Sequence, residues 1–193
     1  MLPYASIARG IIAVTSCKGG VGKSTLSLEL AHRLANRGHR VGLFDADLHG
    51  PSLPAQAPQA LERTQRGRVE VSVDGRSVVP LSDEGIKLMS FGWLSRLWVN
   101  FRAGDQSAKE IRIVPRLATQ LLHTTQWGDL DYLIVDSPPG TGAIPVAIAK
   151  TVPLAGAVVV TTPSQLAVVD VIRGVKMLQR LCAHATHPPR LIP

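Results

Sequence analysis

A short glycine-rich segment between a strand-like run and a helix-like run constrains the fold of this chain most strongly. It reads Lys18-Gly19-Gly20-Val21-Gly22-Lys23-Ser24-Thr25. It follows the phosphate-binding pattern G-x-x-x-x-G-K-[ST] except at the first position, where Cys17 stands in place of glycine. A strand, a glycine-rich loop and a helix in this order form the phosphate-binding unit of many α/β proteins. The segment therefore predicts a P-loop whose first half deviates from the common form.

The flanking sequence supports this prediction. Residues 11–15 form a short apolar run with β-branched side chains, which is typical of a buried strand. After the loop, Leu26, Leu30, Ala31 and Leu34 recur at helical spacing, and we expect them to form the buried face of a helix. Gly38 stands where a helix-ending glycine is expected.

Each loop residue has an expected role in binding ATP. Glycines let backbone N–H groups approach phosphates closely, and the N-terminus of the following helix favours negative charge. Lys23 is expected to reach the β- and γ-phosphates, the Ser24 hydroxyl to bind Mg²⁺, and Thr25 to contact the α-phosphate. The predicted ATP-binding residues are Gly19, Gly20, Val21, Gly22, Lys23, Ser24 and Thr25.

Acidic residues follow two other strand-like runs. Asp136 ends the run 132–135, as a metal-holding aspartate of a P-loop protein does. Asp45 and Asp47 follow the run 41–44, and because they lie two residues apart we expect them to divide metal binding and orientation of the attacking water, in an order that the sequence leaves open. The predicted magnesium ligands are Ser24, Asp45 and Asp136, and the catalytic residues predicted from these motifs are Lys23, Asp45 and Asp47.

The wider pattern predicts an α/β fold with a doubly wound, mostly parallel sheet. Continuous apolar runs at 11–15, 41–44, 132–135 and 157–160 are typical of strands that helices cover on both faces. Helices are predicted over 116–124, 145–150 and 165–181. Residues 69–79 alternate around Asp74-Gly75, which predicts a small β-hairpin insertion at about 69–80. We expect residues 1–193 to form one P-loop ATPase domain.

Composition narrows the class of protein. The chain has 193 residues, a formal net charge of +7 and two cysteines. The positive charges are scattered rather than clustered, so we expect neither nucleic acid nor membrane as a partner. Two cysteines do not make a disulfide framework, and no targeting peptide is evident. We expect a soluble intracellular protein.

Several motifs together resemble one family. The loop is similar to that of the deviant Walker A ATPases, which include nitrogenase iron protein, MinD, ParA and the Mrp proteins. The segments 44–54 and 127–142 resemble the first and second switch regions of Mrp-type proteins, and Met89-Ser90-Phe91-Gly92 and Thr161-Thr162-Pro163 also fit. Ser16-Cys17-Lys18 and the segment 166–174 look most like the plastid iron–sulfur carrier branch, so the resemblance implies the plastid stroma or the cytosol as the location.

The resemblance implies an ATP-hydrolysing carrier that holds a [4Fe–4S] cluster between two subunits and passes it to apo iron–sulfur proteins. It also implies a homodimer in which Lys18 crosses to the partner's nucleotide, which adds Lys18 to the predicted catalytic residues. The chain departs from the family in carrying Ala143 where aspartate is usual, and in lacking a Cys-x-x-Cys pair before Pro193. We therefore expect a C-terminally truncated family domain, and we identify no iron–sulfur ligands, because Cys17 and Cys182 lack ligand spacing.

Two alternatives remain open on these residues. One is a MinD/ParA-like positioning ATPase, which would use an amphipathic membrane helix or a basic DNA-binding surface. The other is a nucleotide-binding remnant that neither turns over ATP nor binds a cluster.

Overall fold

A computed structural model of the chain describes residues 7–64, 69–73, 75–94, 109–140, 142–164, 168–169, 171–172, 174–176, 179 and 190–191. In this part of the chain, strands form one seven-stranded sheet in the order β3-β4-β2-β5-β1-β6-β7. The strands are β1 (Ala8–Ser16), β2 (Val41–Asp45), β3 (Leu81–Asp83), β4 (Ile86–Ser90), β5 (Leu130–Asp136), β6 (Leu154–Val160) and β7 (Arg190–Leu191). All neighbouring pairs are parallel except β3–β4. The predicted mostly parallel sheet is confirmed.

Helices cover both faces of the sheet, as expected for a doubly wound fold. They are α1 (Lys23–Ala35), α2 (Leu53–Gln56), α3 (Gln59–Glu62), α4 (Lys109–Thr124) and α5 (Ala143–Thr151), with a 3₁₀ turn at Phe91–Leu94. The described residues between 168 and 179 are all helical, in line with the helix predicted over 165–181.

Each face of the sheet has its own apolar core. On one face, strand residues such as Phe44 and Leu133 pack with Ala118 and Leu122 of α4 and with Ile148 of α5. On the other face, the core comprises Val14, Ala31, Val41, Leu43, Leu53, Ala57, Ala60, Leu81, Ile86, Leu88 and Ile134, which brings in α1, α2 and α3. Alternate residues of a strand point to opposite faces, so the continuous apolar runs supply both cores at once.

The buried face of α1 agrees with the predicted one in part, since Ala31 is buried and Leu30 and Leu34 pack against the core as partly buried residues. Its buried residues are Lys23, Ser27 and Ala31, whereas Leu26 is 39% exposed. These three residues are spaced four apart and so share one face of the helix. Two of the three are polar because the carboxylate of Asp136 lies under the first turn of the helix. The apolar spacing predicted the core contact of Ala31, but not the burial of the polar residues Lys23 and Ser27.

The insertion at 69–80 contains the predicted antiparallel pairing, in a short form. Val71 and Val78 form a bridge, the backbone N–H of Ser72 donates to Ser77, and Gly75 adopts a positive φ of 67° in the turn. The sequence pattern missed β3 and β4, which follow directly. β4 contains Lys87 in an otherwise apolar run, and this polar interruption hid a strand that pairs with β2 in the structure.

Some expectations fall on residues outside the described ranges: Thr141, within the segment 127–142 that resembles a second switch region, and Cys182. None of the helices in the described part of the chain combines the length and the apolar character needed to cross a bilayer.

Candidate functional site

The carboxyl ends of three neighbouring strands, β2, β5 and β1, meet at one edge of the sheet. Asp45 ends β2 and Asp136 ends β5, and the parallel register places them opposite each other. β1 ends at Ser16, directly before the glycine-rich loop. Ligands of open α/β sheets bind at such an edge. The structure therefore brings the predicted loop and the predicted acids to one place.

The loop backbone is shaped for close approach of a ligand. Gly20 and Gly22 have φ angles of 75° and 88°, which residues with side chains rarely adopt. A Cβ placed on Gly19, Gly20 or Gly22 would meet no protein atom within 4 Å, so the space above the loop is open. α1 begins at Lys23 with no acidic residue in its first turn. Its positive end is thus not neutralised by its own sequence.

A buried ion pair joins the loop to β5. The Lys23 Nζ lies 2.7 Å from Asp136 Oδ1 and 3.1 Å from the Ser24 Oγ. The two charged side chains are 8% and 3% exposed. Three predicted site residues, two of them proposed magnesium ligands, therefore converge around one positive charge.

Ser27 belongs to the same cluster, and the sequence analysis missed it. Its hydroxyl lies 2.9 Å from Asp136 Oδ1 and 3.0 Å from the backbone oxygen of Lys23. The residue is buried. Its position four residues after Lys23 is the signal that could have found it, because both then lie on one face of α1.

Asp45 is buried among neutral donors. Its Oδ2 accepts hydrogen bonds from the backbone N–H groups of Ser52 and Leu53 and from the Ser90 hydroxyl, at 3.0 to 3.2 Å. Its Oδ1 accepts one from the backbone N–H of Asp47. Burial raises the pKa of the Asp45 carboxyl to about 6, although hydrogen bonds from Asp47, Leu53 and Ser90 lower it and Asp136 adds to the rise. Asp45 thus anchors the segment 46–53 to the sheet.

Asp47 lies less deeply in the same segment. Its Oδ1 accepts hydrogen bonds from the backbone N–H groups of His49 and Gly50, at 3.2 and 3.0 Å. The side chain is half-buried, in contrast to that of Asp45. The two carboxylates therefore occupy different surroundings.

The other predicted loop residues face outwards. Lys18 and Thr25 are exposed, and Cys17 is half-buried. The Ser16 hydroxyl donates to the backbone oxygen of Lys18 at 2.9 Å, which fixes the start of the loop. Val21 is half-buried within the loop.

The segment after β5 contacts the start of the loop. The backbone N–H of Gly140 donates to the Ser16 oxygen at 2.6 Å, and that of Ser137 donates to the Val14 oxygen at 3.0 Å. A cleft of about 350 Å³ lies beside this segment and is lined mainly by apolar groups: His49, Val114, Pro115, Pro138, Pro139, Gly142, Ala143, Ile144 and Pro145. The two backbone hydrogen bonds thus hold the segment 137–140 against the end of β1, where the loop begins.

Comparison with known proteins agrees with this geometry. The ParA model described as NUBPL iron-transfer P-loop NTPase matches residues 8–186. The Fe-S cluster assembly factor HCF101, chloroplastic, of Arabidopsis thaliana is 43% identical over 181 residues, which are 93% of this chain and 32% of that protein. The iron-sulfur cluster carrier protein of Haemophilus influenzae is 39% identical over 93% of this chain and 45% of its own length.

A solved structure shares the fold. The nucleotide-binding protein of Archaeoglobus fulgidus, in complex with ADP, is 34% identical with a TM-score of 0.68, and the match covers 91% of this chain and 63% of that chain. The present chain spans less than half the length of the two curated relatives. Because the family model matches nearly all of the chain, and the loop, the paired acids and the doubly wound sheet agree with it, the chain belongs to the ParA-type family of iron-transfer P-loop NTPases.

Proposed function

We propose that the chain binds ATP with Mg²⁺ at residues 17–25 and hydrolyses it as the nucleotide-driven part of an iron–sulfur cluster carrier. The observation that carries this proposal is the buried contact of Lys23 with Asp136 and Ser24. It joins the phosphate loop to the acid on the neighbouring strand. The names of the relatives support the carrier role over that of a MinD/ParA-like positioning ATPase.

The donor set fits Mg²⁺. A hydroxyl and a carboxylate, from Ser24 and Asp136, already surround the positive charge of the Lys23 ammonium. Oxygen ligands of this kind are those that Mg²⁺ prefers. The bound ion would neutralise charge on the β- and γ-phosphates. Asp45 Oδ2 accepts three hydrogen bonds from the described residues, whereas Oδ1 accepts one. Asp45 would therefore use Oδ1 to contribute to the surroundings of the metal.

The two acids of the segment 45–47 suggest a division of labour. We assign Asp45 to the surroundings of the metal and to holding the segment, since it is buried and has four donors. We assign Asp47 to orienting the attacking water, since its carboxylate is less buried. Lys23 would bind the phosphates, which requires its ammonium to leave Asp136.

Titration calorimetry tests nucleotide binding. We expect MgATP to bind the unmodified chain and the Lys23→Ala variant to lose at least about a hundredfold in affinity, because a charged hydrogen-bonding group is removed from a desolvated site. Lys150→Ala is the matched control, since Lys150 is exposed in the last turn of α5. Equal affinities of the unmodified chain and Lys23→Ala would exclude the loop as the ATP site.

We further propose a homodimer in which Lys18 contacts the partner's nucleotide. Its exposure at the open side of the loop supports this role. Light scattering with MgATP should give twice the monomer mass for the unmodified chain, and a lower mass for Lys18→Ala at the same concentration. A monomer mass for the unmodified chain with ATP would contradict the dimer. Lys150→Ala again serves as the control.

Delivery of clusters to apo iron–sulfur proteins is proposed from the family and the named relatives. Cluster ligands are not assigned, because Cys17 lies in the phosphate loop and Cys182 lies outside the described residues. After anaerobic treatment with iron and sulfide we expect no stable cluster on this chain alone. Iron bound at four atoms per dimer, with a persistent charge-transfer absorbance, would overturn that expectation.

A further inference from the structure

Two hydrogen-bond donors share one oxygen of Asp136. The Lys23 Nζ lies 2.7 Å from Oδ1, and the Ser27 hydroxyl oxygen lies 2.9 Å from the same atom. Asp136 and Ser27 are 2% and 1% exposed. Water therefore has little access to replace either donor, and the protein itself has to satisfy this carboxylate.

Lys23 has two roles that exclude each other. In the structure its ammonium neutralises Asp136. On the proposed function its ammonium binds the phosphates of ATP. A buried carboxylate that loses its partner is strongly destabilising. Binding of ATP thus requires that another group keep Asp136 satisfied while Lys23 is away.

The Ser27 hydroxyl is placed for this. It has one proton and two acceptors within reach, the Lys23 backbone oxygen at 3.0 Å and Asp136 Oδ1 at 2.9 Å. A hydrogen bond to an ionised acceptor is stronger than one to a neutral carbonyl. The contact with Asp136 does not depend on where the Lys23 side chain lies, because Ser27 comes from the next turn of the helix.

We propose that Ser27 is a positioning residue that keeps a hydrogen bond on Asp136 when Lys23 turns from that carboxylate to the triphosphate. This role rests on the proposed ATP site, because it applies only if Lys23 leaves Asp136 when ATP binds. It predicts that Ser27 matters most where the Asp136 carboxylate has no other partner among the described residues, which is the case for ATP without a divalent cation. With Mg²⁺ present, the cation would replace Lys23 as the positive partner of Asp136, and the Ser27 hydroxyl would matter less for the affinity for ATP.

The test is the affinity for ATP in EDTA and in Mg²⁺, measured by titration calorimetry. We expect Ser27→Ala to weaken binding in EDTA about tenfold, the loss of one hydrogen bond to a charged group, and to weaken binding in Mg²⁺ by less than about threefold. The dissociation constant in EDTA divided by the dissociation constant in Mg²⁺ is therefore larger for Ser27→Ala than for the unmodified chain. Ser27→Thr keeps the hydroxyl and should restore the ratio.

The ratio separates this role from a purely structural one. A general loss of stability weakens both affinities alike and leaves the ratio unchanged. Thr125→Val is the matched control, because it removes a buried hydroxyl that donates to the Leu121 oxygen at the end of α4. A ratio for Ser27→Ala equal to that of the unmodified chain overturns the inference. No binding of ATP to the unmodified chain under either condition overturns the proposed function as well.

Discussion

Asp136 and Asp45 lie side by side at the ends of adjacent strands, and the protein stabilises them in opposite ways. Asp136 has a lysine at 2.7 Å and a serine hydroxyl at 2.9 Å. Asp45 has three backbone N–H groups and the hydroxyl of Ser90, and no lysine or arginine is paired with it among the described residues. Both are almost fully buried. Comparing these two buried carboxylates therefore separates the stabilising effect of a charged partner from that of neutral hydrogen-bond donors.

The difference matters for what each carboxylate can do. Asp136 is bound to a side chain that is long and can rotate, so its partner can be exchanged. Asp45 is bound mainly to backbone groups of the segment 46–53, so it can lose its partners only if that segment moves. The surroundings of Asp136 therefore suit a site at which one cation replaces another. Those of Asp45 suit a residue that anchors the segment 46–53 to the sheet.

The largest expected effect comes from breaking the ion pair. Lys23→Met keeps much of the side-chain volume but leaves Asp136 buried without a positive partner. We expect the free energy of unfolding at pH 7 to fall by about 3 kcal/mol. Urea unfolding of the nucleotide-free chain measures it.

A second substitution tests the cause. In the double variant Lys23→Met, Asp136→Asn the buried charge is gone, and most of the loss should be recovered. If the double variant is as unstable as the single one, the loss comes from packing around Lys23 rather than from the unpaired carboxylate.

Neutralising Asp45 should raise the free energy of unfolding, by less than Lys23→Met lowers it. In Asp45→Asn the amide oxygen can take the three donors of Oδ2, while the amide N–H₂ faces the N–H of Asp47. A rise of the pKa from 3.8 to about 6 means that the charged form costs the fold roughly 3 kcal/mol. One lost hydrogen bond offsets about 1 to 2 kcal/mol of this. We expect a net gain of about 1 kcal/mol at pH 7.

The pH dependence identifies the origin of this gain. Because the pKa of Asp45 is higher in the folded chain, folding takes up a proton between the two pKa values, and the stability of the unmodified chain falls as pH rises from about 4 to about 6. The advantage of Asp45→Asn should therefore grow across this range and level off above it. An advantage that is already complete at pH 4 would contradict the assignment.

Much of the fold could be predicted because buried parallel strands leave continuous apolar runs. Four strands, the helices over 116–124 and 145–150 and the loop itself were visible in this way. β4 was not, because Lys87 interrupts its apolar run, and its Nζ reaches the Trp127 backbone oxygen in the structure. That contact depends on tertiary packing, which a single strand's sequence does not encode.

The sequence predicts candidate members of the site but not how they pair. Lys23, Asp45 and Asp136 stand at positions that their motifs mark. The contact of Lys23 with Asp136 spans 113 residues and follows from the order of the strands, which the sequence leaves open. Ser27 was missed because a serine in a helix is usually solvated, and only the position of Asp136 beneath it shows that it is buried.

The smallest expected effect concerns the opposite end of β5. Asp131 accepts hydrogen bonds from the backbone N–H and the guanidinium of Arg40, and these contacts lower its pKa to about 2. The Arg40 side chain is half exposed, so solvent screens this pair far more than the pair of Lys23 with Asp136. Asp131→Asn should lower Tm by no more than a few degrees at pH 7, as measured by scanning calorimetry.

Lowering the pH should remove the Tm difference between the unmodified chain and Asp131→Asn. The pKa of Asp131 is lower in the folded chain than its ordinary value of 3.8, so its charged contacts stabilise the fold fully above about pH 4 and are lost as pH falls towards 2. The Tm difference between the unmodified chain and Asp131→Asn should therefore shrink across this range. Lys23→Met is scanned in the same calorimeter for comparison, and a Tm loss for Asp131→Asn as large as that for Lys23→Met would show that exposure does not separate the two ion pairs of β5. A Tm difference for Asp131→Asn that persists unchanged at pH 2 would show that the contact does not depend on the charge of Asp131.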